Sequence, residues 1–220
     1  MIRTHLGRAT SLTPAQRLLF RALIDELIAT GRPLATDDAA RRIGLSTDET
    51  TALMIQLAEA DWVVIDEDGA LTGAYPFSVA PTGVTVRWDG NERHAMCAVD
   101  ALGVGPLLGR AVEIDATCPH CGHEITIEAD AERLIKRSPR STVVIRRWTA
   151  GPAATSRCNA TRFACSPDHA QEWLRHHGGP DDVIQSLEAS FIEAREIIGD
   201  AYRRGISTHP QRPGGERTGR

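Results

Sequence analysis

"HAMCAVDALGVGPLLGR", residues 94–110, sets a thiol and a carboxylate close together in a segment that is otherwise apolar enough to be buried. Its pattern predicts a helix from about Glu92 to Leu108, with a break at Gly105-Pro106, where proline removes an amide donor. On a helix Cys97 and Asp100 would share one face. Two readings are open at this point. Cys97 is an ordinary core cysteine and Asp100 a surface acid, or the two groups work together.

The chain before this helix is predicted to be mostly helical. "LTPAQRLLFRALIDELIAT" (12–30) is an amphipathic helix with Thr13 as cap, Pro14 in the first turn and Gly31 as its end. A short helix capped by Thr36 follows, then another starting near Ser46. "VVIDEDGALTG" is a strand, an Asp-Gly turn at 68–69 and a returning strand. Three helices and a hairpin make a winged helix-turn-helix pattern. The helix in the recognition position carries Asp48, Glu49 and Glu59 and no Lys or Arg. Phosphate contacts need cations, so a scaffold is favoured over a DNA reader. Residues 74–83, with two prolines and a glycine, are expected to be a linker.

After the Cys97 helix, "AVEIDATC" and "HEITIEAD" alternate as strands around the knuckle CPHCG. "ERLIKR" is expected as a helical turn and "STVVIRRW" as a strand. "TAGPAATSRCNATRFAC" is expected as a loop entering a short strand. Ser166 and Pro167 start a helix running to His177. "DDVIQSLEASFIEAREIIGDAYRR" is expected as one long amphipathic helix. The tail lacks apolar residues and is expected to be disordered. The fold class is therefore α+β: a winged-helix-like helical domain (1–82), a mixed α/β catalytic domain with a small antiparallel sheet (83–205), and a disordered tail (206–220).

A net charge of -4 gives no basic excess to attract nucleic acid. The N-terminus shows no signal-peptide pattern and no run approaches a membrane span, so the expected location is the cytoplasm and no membrane partner is expected. There are five cysteines, Cys97, Cys118, Cys121, Cys158 and Cys165. An odd count without an export signal argues against a disulfide framework and makes thiol and metal chemistry the leading question.

Cys118 and Cys121 form a CxxC knuckle that can give two thiolates to tetrahedral zinc. The remaining ligands are not identified by spacing: His120, His123, Cys165 and His169 are candidates, and none forms a clear partner pair. A redox pair and an inert turn stay open beside zinc. Cys158 lies in a loop between Arg157 and Arg162, where cations favour the thiolate. Cys165, beside the Ser166 cap, reads as a core thiol. His94, His169, His176 and His177 show no relay spacing to a nucleophile.

Taken together, "DEDGALTGAYPFS", "HAMCAVDALGVGPLLGR" and "SRCNATRFACSPDHAQEW" resemble the organomercurial (alkylmercury) lyases of bacterial mercury resistance, over roughly residues 60–204. The family pattern is a W-C-A-x-D-x-L helix, a following L-I/L-G-R, and a second cysteine fifteen residues before a Trp. Cys97 and Asp100 match the first element, Leu107, Leu108, Gly109 and Arg110 the second, and Cys158 with Trp173 the third. Met96 stands where many members have Trp, and the CPHCG knuckle is a departure that suggests a zinc-stabilised turn or an extra mercury-carrying thiol pair.

The resemblance implies a fold that begins with a winged-helix-like domain without DNA binding. It also implies an activity: Cys97 and Cys158 as thiolates on mercury and Asp100 as base, then acid, in protonolysis of the carbon–mercury bond to a hydrocarbon and Hg(II). Soft thiolates suit this soft metal. A buried carboxyl of raised pKa suits the proton transfer. No cofactor is required on this reading; a structural zinc at Cys118/Cys121 stays open beside it. Exogenous thiols release the product, and Hg(II) passes to thiols or a mercuric reductase. The alternative is a mercury- or zinc-binding regulator or metal-binding protein on the same fold, which would need the cysteines but not Asp100.

Overall fold

The structure, a computed structural model, describes residues 12–147 and 151–200. Helix α1 (Pro14–Thr30) begins at a capping box: Thr13 and Gln16 each accept the other's backbone N–H. Its inner face buries Leu19, Phe20, Leu23, Ile24 and Leu27. Helix α2 (Thr36–Ile43) starts one residue earlier than predicted. Ala35, with no capping side chain, is the N-cap, and Thr36 is the first helical residue. Asp37 and Asp38 in the first turn complement the helix dipole instead. Helix α3 (Thr47–Glu59) starts after Ser46, as expected, and a Ser46–Glu49 capping box forms there.

The hairpin of β1 (Val63–Ile65) and β2 (Leu71–Ala74) also forms where predicted, and Asp66 holds its turn by accepting the Asp68 and Ala70 amides. The sheet it belongs to is much larger than expected. It continues through β3 (Phe77–Ser78), β4 (Val84–Trp88), β5 (Asn91–Ala95), β6 (Val112–Thr117), β7 (Glu124–Ala129) and β8 (Leu134–Ser138). The result is one eight-stranded antiparallel sheet in the order β1-β2-β3-β5-β4-β6-β7-β8.

Three expectations fail for one reason: each segment becomes a strand only through its pairing with another strand. The expected linker at 74–83 contains β3, and Tyr75 and Phe77 are buried. Residues 91–95 are strand β5, not the start of a helix, because the Asp89–Gly90 turn folds them back on β4. "ERLIKR" contributes to β8 at the sheet's end, where Lys136 and Arg137 suit an unpaired edge.

Helix α4 (Ala98–Leu108) follows β5 and continues through Pro106 without the expected break. It is buried from Ala98 to Pro106. A Cβ on Gly103 would stand 2.5 Å from Ile198, so only glycine permits this approach of the C-terminal segment.

A smaller sheet has β9 (Val143–Arg146) between β10 (Arg162–Ala164) and β11 (Val183–Ser186). β11 replaces the beginning of the expected long helix. Its β-branched Val183 and Ile184 suit a strand, and Ser186 then caps α6 (Leu187–Ala194), which runs into a π-helical turn (Arg195–Asp200). Helix α5 (Pro167–His177) has the predicted Ser166 cap and Pro167 start. The expected tail, 206–220, lies outside the described residues.

One contiguous apolar cluster joins these layers, from Leu19 and Phe20 through Phe77, Val86, Ile114 and Ile127 to Ile145 and Phe191. Arg93 on β5 ties the helical layer to the large sheet by donating to the Leu27 and Ile28 carbonyls at the end of α1, at 2.6 and 2.8 Å. Among the described residues no helix is long and apolar enough to cross a membrane.

Candidate active site

Strand β5 ends at Ala95, and Cys97 is the N-cap of α4, in extended backbone conformation. Asp100 is the third residue of that helix. The two are therefore a cap and a first-turn residue, rather than two residues within a helix. The junction is pinned on both sides: Met96 N–H donates to the Pro76 carbonyl at 2.9 Å, and Ala98 N–H to the Thr161 carbonyl at 3.3 Å. Met96 lies against Gly73, where a Cβ would fall 2.1 Å from the Met96 methyl carbon.

Cys158 is the last residue of a π-helical turn (Ala154–Cys158), an element recurrent at functional sites. Its thiol donates to Asp100 Oδ2 at 3.6 Å. The two sulfurs and a carboxylate oxygen all lie within 4.8 Å of one another. Cys97 and Asp100 are buried, while Cys158 is partly exposed. A groove of about 550 Å³ along Leu134, Ile135, Glu188 and Ile192 is lined by none of these three.

The groups shift one another's titration. Burial raises the Cys97 thiol, but its contacts with Cys158 and Asp100 and the charge of Arg146 outweigh that, bringing it to about 6. Burial and then the Cys97 charge push Asp100 well above the usual carboxylate range. The hydrogen bond to Cys97, then burial, holds the Cys158 proton well above an ordinary thiol's range. Near neutral pH Cys97 is therefore the thiolate of the set and Cys158 the thiol. Arg146, at the end of β9, is buried and ion-paired with Glu193.

The sequence pattern described as MerB, alkylmercury lyase, matches residues 77–199, more than half of the chain. An alkylmercury lyase of Staphylococcus epidermidis is 30% identical over 182 residues, 81% of each chain. One of Bacillus cereus is 29% identical over 86% of this chain and 84% of its own. The chain belongs to the alkylmercury lyase family. The crystal structure of the mercury-bound form of MerB2 shares the fold, with a TM-score of 0.78 over 92% of this chain and 97% of that one, at 21% identity.

Two features of this lyase were not settled by its sequence. The first is Asp61, buried and in the left-handed region at φ 63°. It accepts the Ala153 amide on both carboxylate oxygens at 3.0 Å, the Tyr75 hydroxyl at 3.3 Å, and an Arg157 guanidinium N–H at 3.4 Å. It thereby holds both ends of the turn that carries Cys158. The available signal was a carboxylate at a helix end, where Asp tolerates positive φ. Tyr75 stays a protonated donor, because burial and then the charges of Cys158, Asp61, Asp100 and Cys97 raise it far above an ordinary phenol.

The second feature is the environment of the knuckle. Cys118 and Cys121 come together with Cys165 and His169, their ligand atoms all within 4.8 Å. The His120 ring packs at a tilt against that of His169, 4.8 Å between centroids, and His123 is not in the group.

Proposed function

We propose that this lyase cleaves organomercurials, R–Hg⁺, by protonolysis, with Cys97 and Cys158 as the mercury thiolates and Asp100 as the proton carrier. The observation that carries this is the Cys158 thiol donating to Asp100 at 3.6 Å while the Cys97 sulfur belongs to the same cluster.

The Cys97 thiolate captures the soft cation, forming an S–Hg bond. The Cys158 proton passes to the Asp100 carboxylate, and the Cys158 thiolate adds to the mercury and weakens the C–Hg bond. Asp100 then gives that proton to the carbon as the C–Hg bond breaks and the bonding pair becomes the new C–H bond. The sum is R–Hg⁺ with one thiolate and one thiol giving R–H and a neutral Hg(II) dithiolate. No electrons change hands. Exogenous thiols then exchange with Cys97 and Cys158 to release Hg(II), to a thiol pool or a mercuric reductase. Such a task belongs in the cytoplasm.

The first three helices and the β1–β2 hairpin serve on this reading as a winged-helix-like scaffold, residues 1–82, for a catalytic part, residues 83–205. Helix α3, with Asp48, Glu49 and Glu59 and no Lys or Arg, suits a scaffold rather than a DNA reader. Its contribution to the site comes from just beyond its C-cap: Asp61 fixes the Cys158 turn.

The test is incubation with phenylmercury or methylmercury and excess small thiol, watching for benzene or methane. Wild type releases hydrocarbon, and Cys97→Ser and Cys158→Ser each abolish release. Tight binding without hydrocarbon would instead make the chain a mercury-binding protein. Near wild-type turnover in either variant would remove the dithiolate mechanism.

A further inference from the structure

We infer that Cys118, Cys121, Cys165 and His169 form a Cys3His zinc site, separate from the three mercury-handling residues, that locks the β6–β7 connection onto the junction of β10 and α5. Four donors converge from two distant parts of the chain. Cys118 and Cys121 come from the turn after β6, where the Gly122 N–H donates to the Cys118 carbonyl and the Cys118 N–H to the His123 carbonyl. Cys165 directly follows β10, and His169 sits in the first turn of α5, its amide donating to the Ser166 cap.

The separations suit a tetrahedral ion. Cys121 Sγ and Cys165 Sγ are 3.7 Å apart. Two sulfurs held about 2.3 Å from one zinc at a tetrahedral angle lie about 3.8 Å apart, whereas a disulfide needs about 2.05 Å. His169 Nδ1 lies 4.0 Å from Cys118 Sγ and 2.9 Å from Cys165 Sγ, distances that small movements about one ion would even out. All five cysteines are free thiols. Three thiolates and an imidazole match the donor preference of zinc, and four protein ligands close the sphere as structural sites do, leaving no open position for a reacting water. On binding, the three thiol protons pass to solvent.

The position gives the ion a mechanical task. Cys165 lies only seven residues after Cys158 in the sequence, and its carbonyl accepts the Ser141 hydroxyl at 2.7 Å. An ion at Cys165 anchors the strand that leads away from the Cys158 turn. It also engages three of the five thiols, so that Cys97 and Cys158 remain for mercury.

The experiment is elemental analysis of full-length protein purified from zinc-supplemented medium without chelator, with cobalt(II) titration of the chelator-stripped protein. The expected result is about one zinc per chain and the intense visible d–d bands of tetrahedral cobalt with thiolate charge transfer. Cys121→Ser is the informative variant, because Cys121 is exposed and its loss spares the core. It should keep its far-ultraviolet circular dichroism and weaken zinc binding by more than about 100-fold, beyond the 10–100-fold of an outer-shell partner. His169→Ala should keep thiolate charge transfer and lose the tetrahedral bands. Folded protein that isolates without zinc and gives no tetrahedral cobalt spectrum overturns the site. A cobalt spectrum unchanged in Cys121→Ser overturns the ligand set. Hydrocarbon release is not the readout, so failure here is distinguishable from failure of the protonolysis mechanism.

Discussion

Asp61 receives the Ala153 amide on both of its carboxylate oxygens, at 3.0 Å each, although the residues are 92 positions apart. The same carboxylate takes the Tyr75 hydroxyl and an Arg157 guanidinium N–H, so one buried acid organises the turn that ends at Cys158. Asn at this position offers one acceptor oxygen and an amide that cannot accept. Asp61→Asn is expected to keep the fold and lower hydrocarbon release by about 10–100-fold, the scale of a misplacement of about 1 Å. Mercury binding at Cys97 should persist. Steady-state release with a mass-spectrometric count of bound mercury checks this, and a wild-type rate would deny Asp61 its positioning role.

What the sequence made legible follows from how local each feature is. The helix starts at Thr13, Ser46 and Ser166–Pro167 are decided within four residues, and all three form as read. Strands β3, β5, β8 and β11 were misread because each exists only through a partner: Phe77 against Ala95, Thr85 against His94, Ile127 against Arg137, Ile145 against Ile184. Cys97, Asp100 and Cys158 could be paired on paper through the family resemblance. Asp61 could not, because nothing near it in sequence announces a turn 92 residues away. The knuckle cysteines were visible as a motif, but Cys165 and His169 reach them only through packing of β10 and α5, which no spacing rule encodes.

The proton inventory sets a pH profile. Cys97 titrates at about 6, so its thiolate is lost as pH falls through that value, and mercury capture should drop about tenfold per pH unit below it. Asp100 is raised too, and Cys158 is held well above an ordinary thiol, so the Cys158 proton is retained through neutrality and lost only in the alkaline range, where release should fall again. Single-turnover cleavage across pH should trace a bell. Arg146→Gln should move the acid limb to higher pH, because the Arg146 charge lowers Cys97. An acid limb unmoved in a folded Arg146→Gln protein would remove that contribution.

Double replacement of Cys118 and Cys121 by Ser should lower stability and leave turnover per folded molecule largely intact, since neither belongs to the Cys97–Asp100–Cys158 cluster. In a chain of this size each kcal/mol lost lowers Tm by about 2–4 °C, and a fall of at least that size is expected. Chelator should lower the wild-type Tm toward that of the double variant and leave the variant unchanged. Thermal unfolding with and without chelator reads both effects. Loss of turnover in the folded double variant would show that the knuckle takes part in the reaction.

Asp100→Asn separates a lyase from a mercury-binding protein on this fold. The amide keeps size and polarity but has no acid proton to give. Cys97 and Cys158 remain, so mercury should still bind. Without the Asp100 proton the carbon leaves unprotonated, and cleavage should fall by about 10²–10⁴, the usual contribution of a positioned acid–base group. The loss should be larger if the Cys158 proton, which now donates to Asp100 at 3.6 Å, has no other acceptor. In deuterated solvent the wild type should place a single deuterium on the released hydrocarbon, because the transferred proton originates on exchangeable thiol and carboxyl groups. Asp100→Glu should recover part of the rate, since it restores an acid at the cost of placement beside two sulfurs held within 4.8 Å. Wild-type cleavage by Asp100→Asn would show that the proton reaches carbon by another route, and the thiol of Cys158 would then be its nearest source.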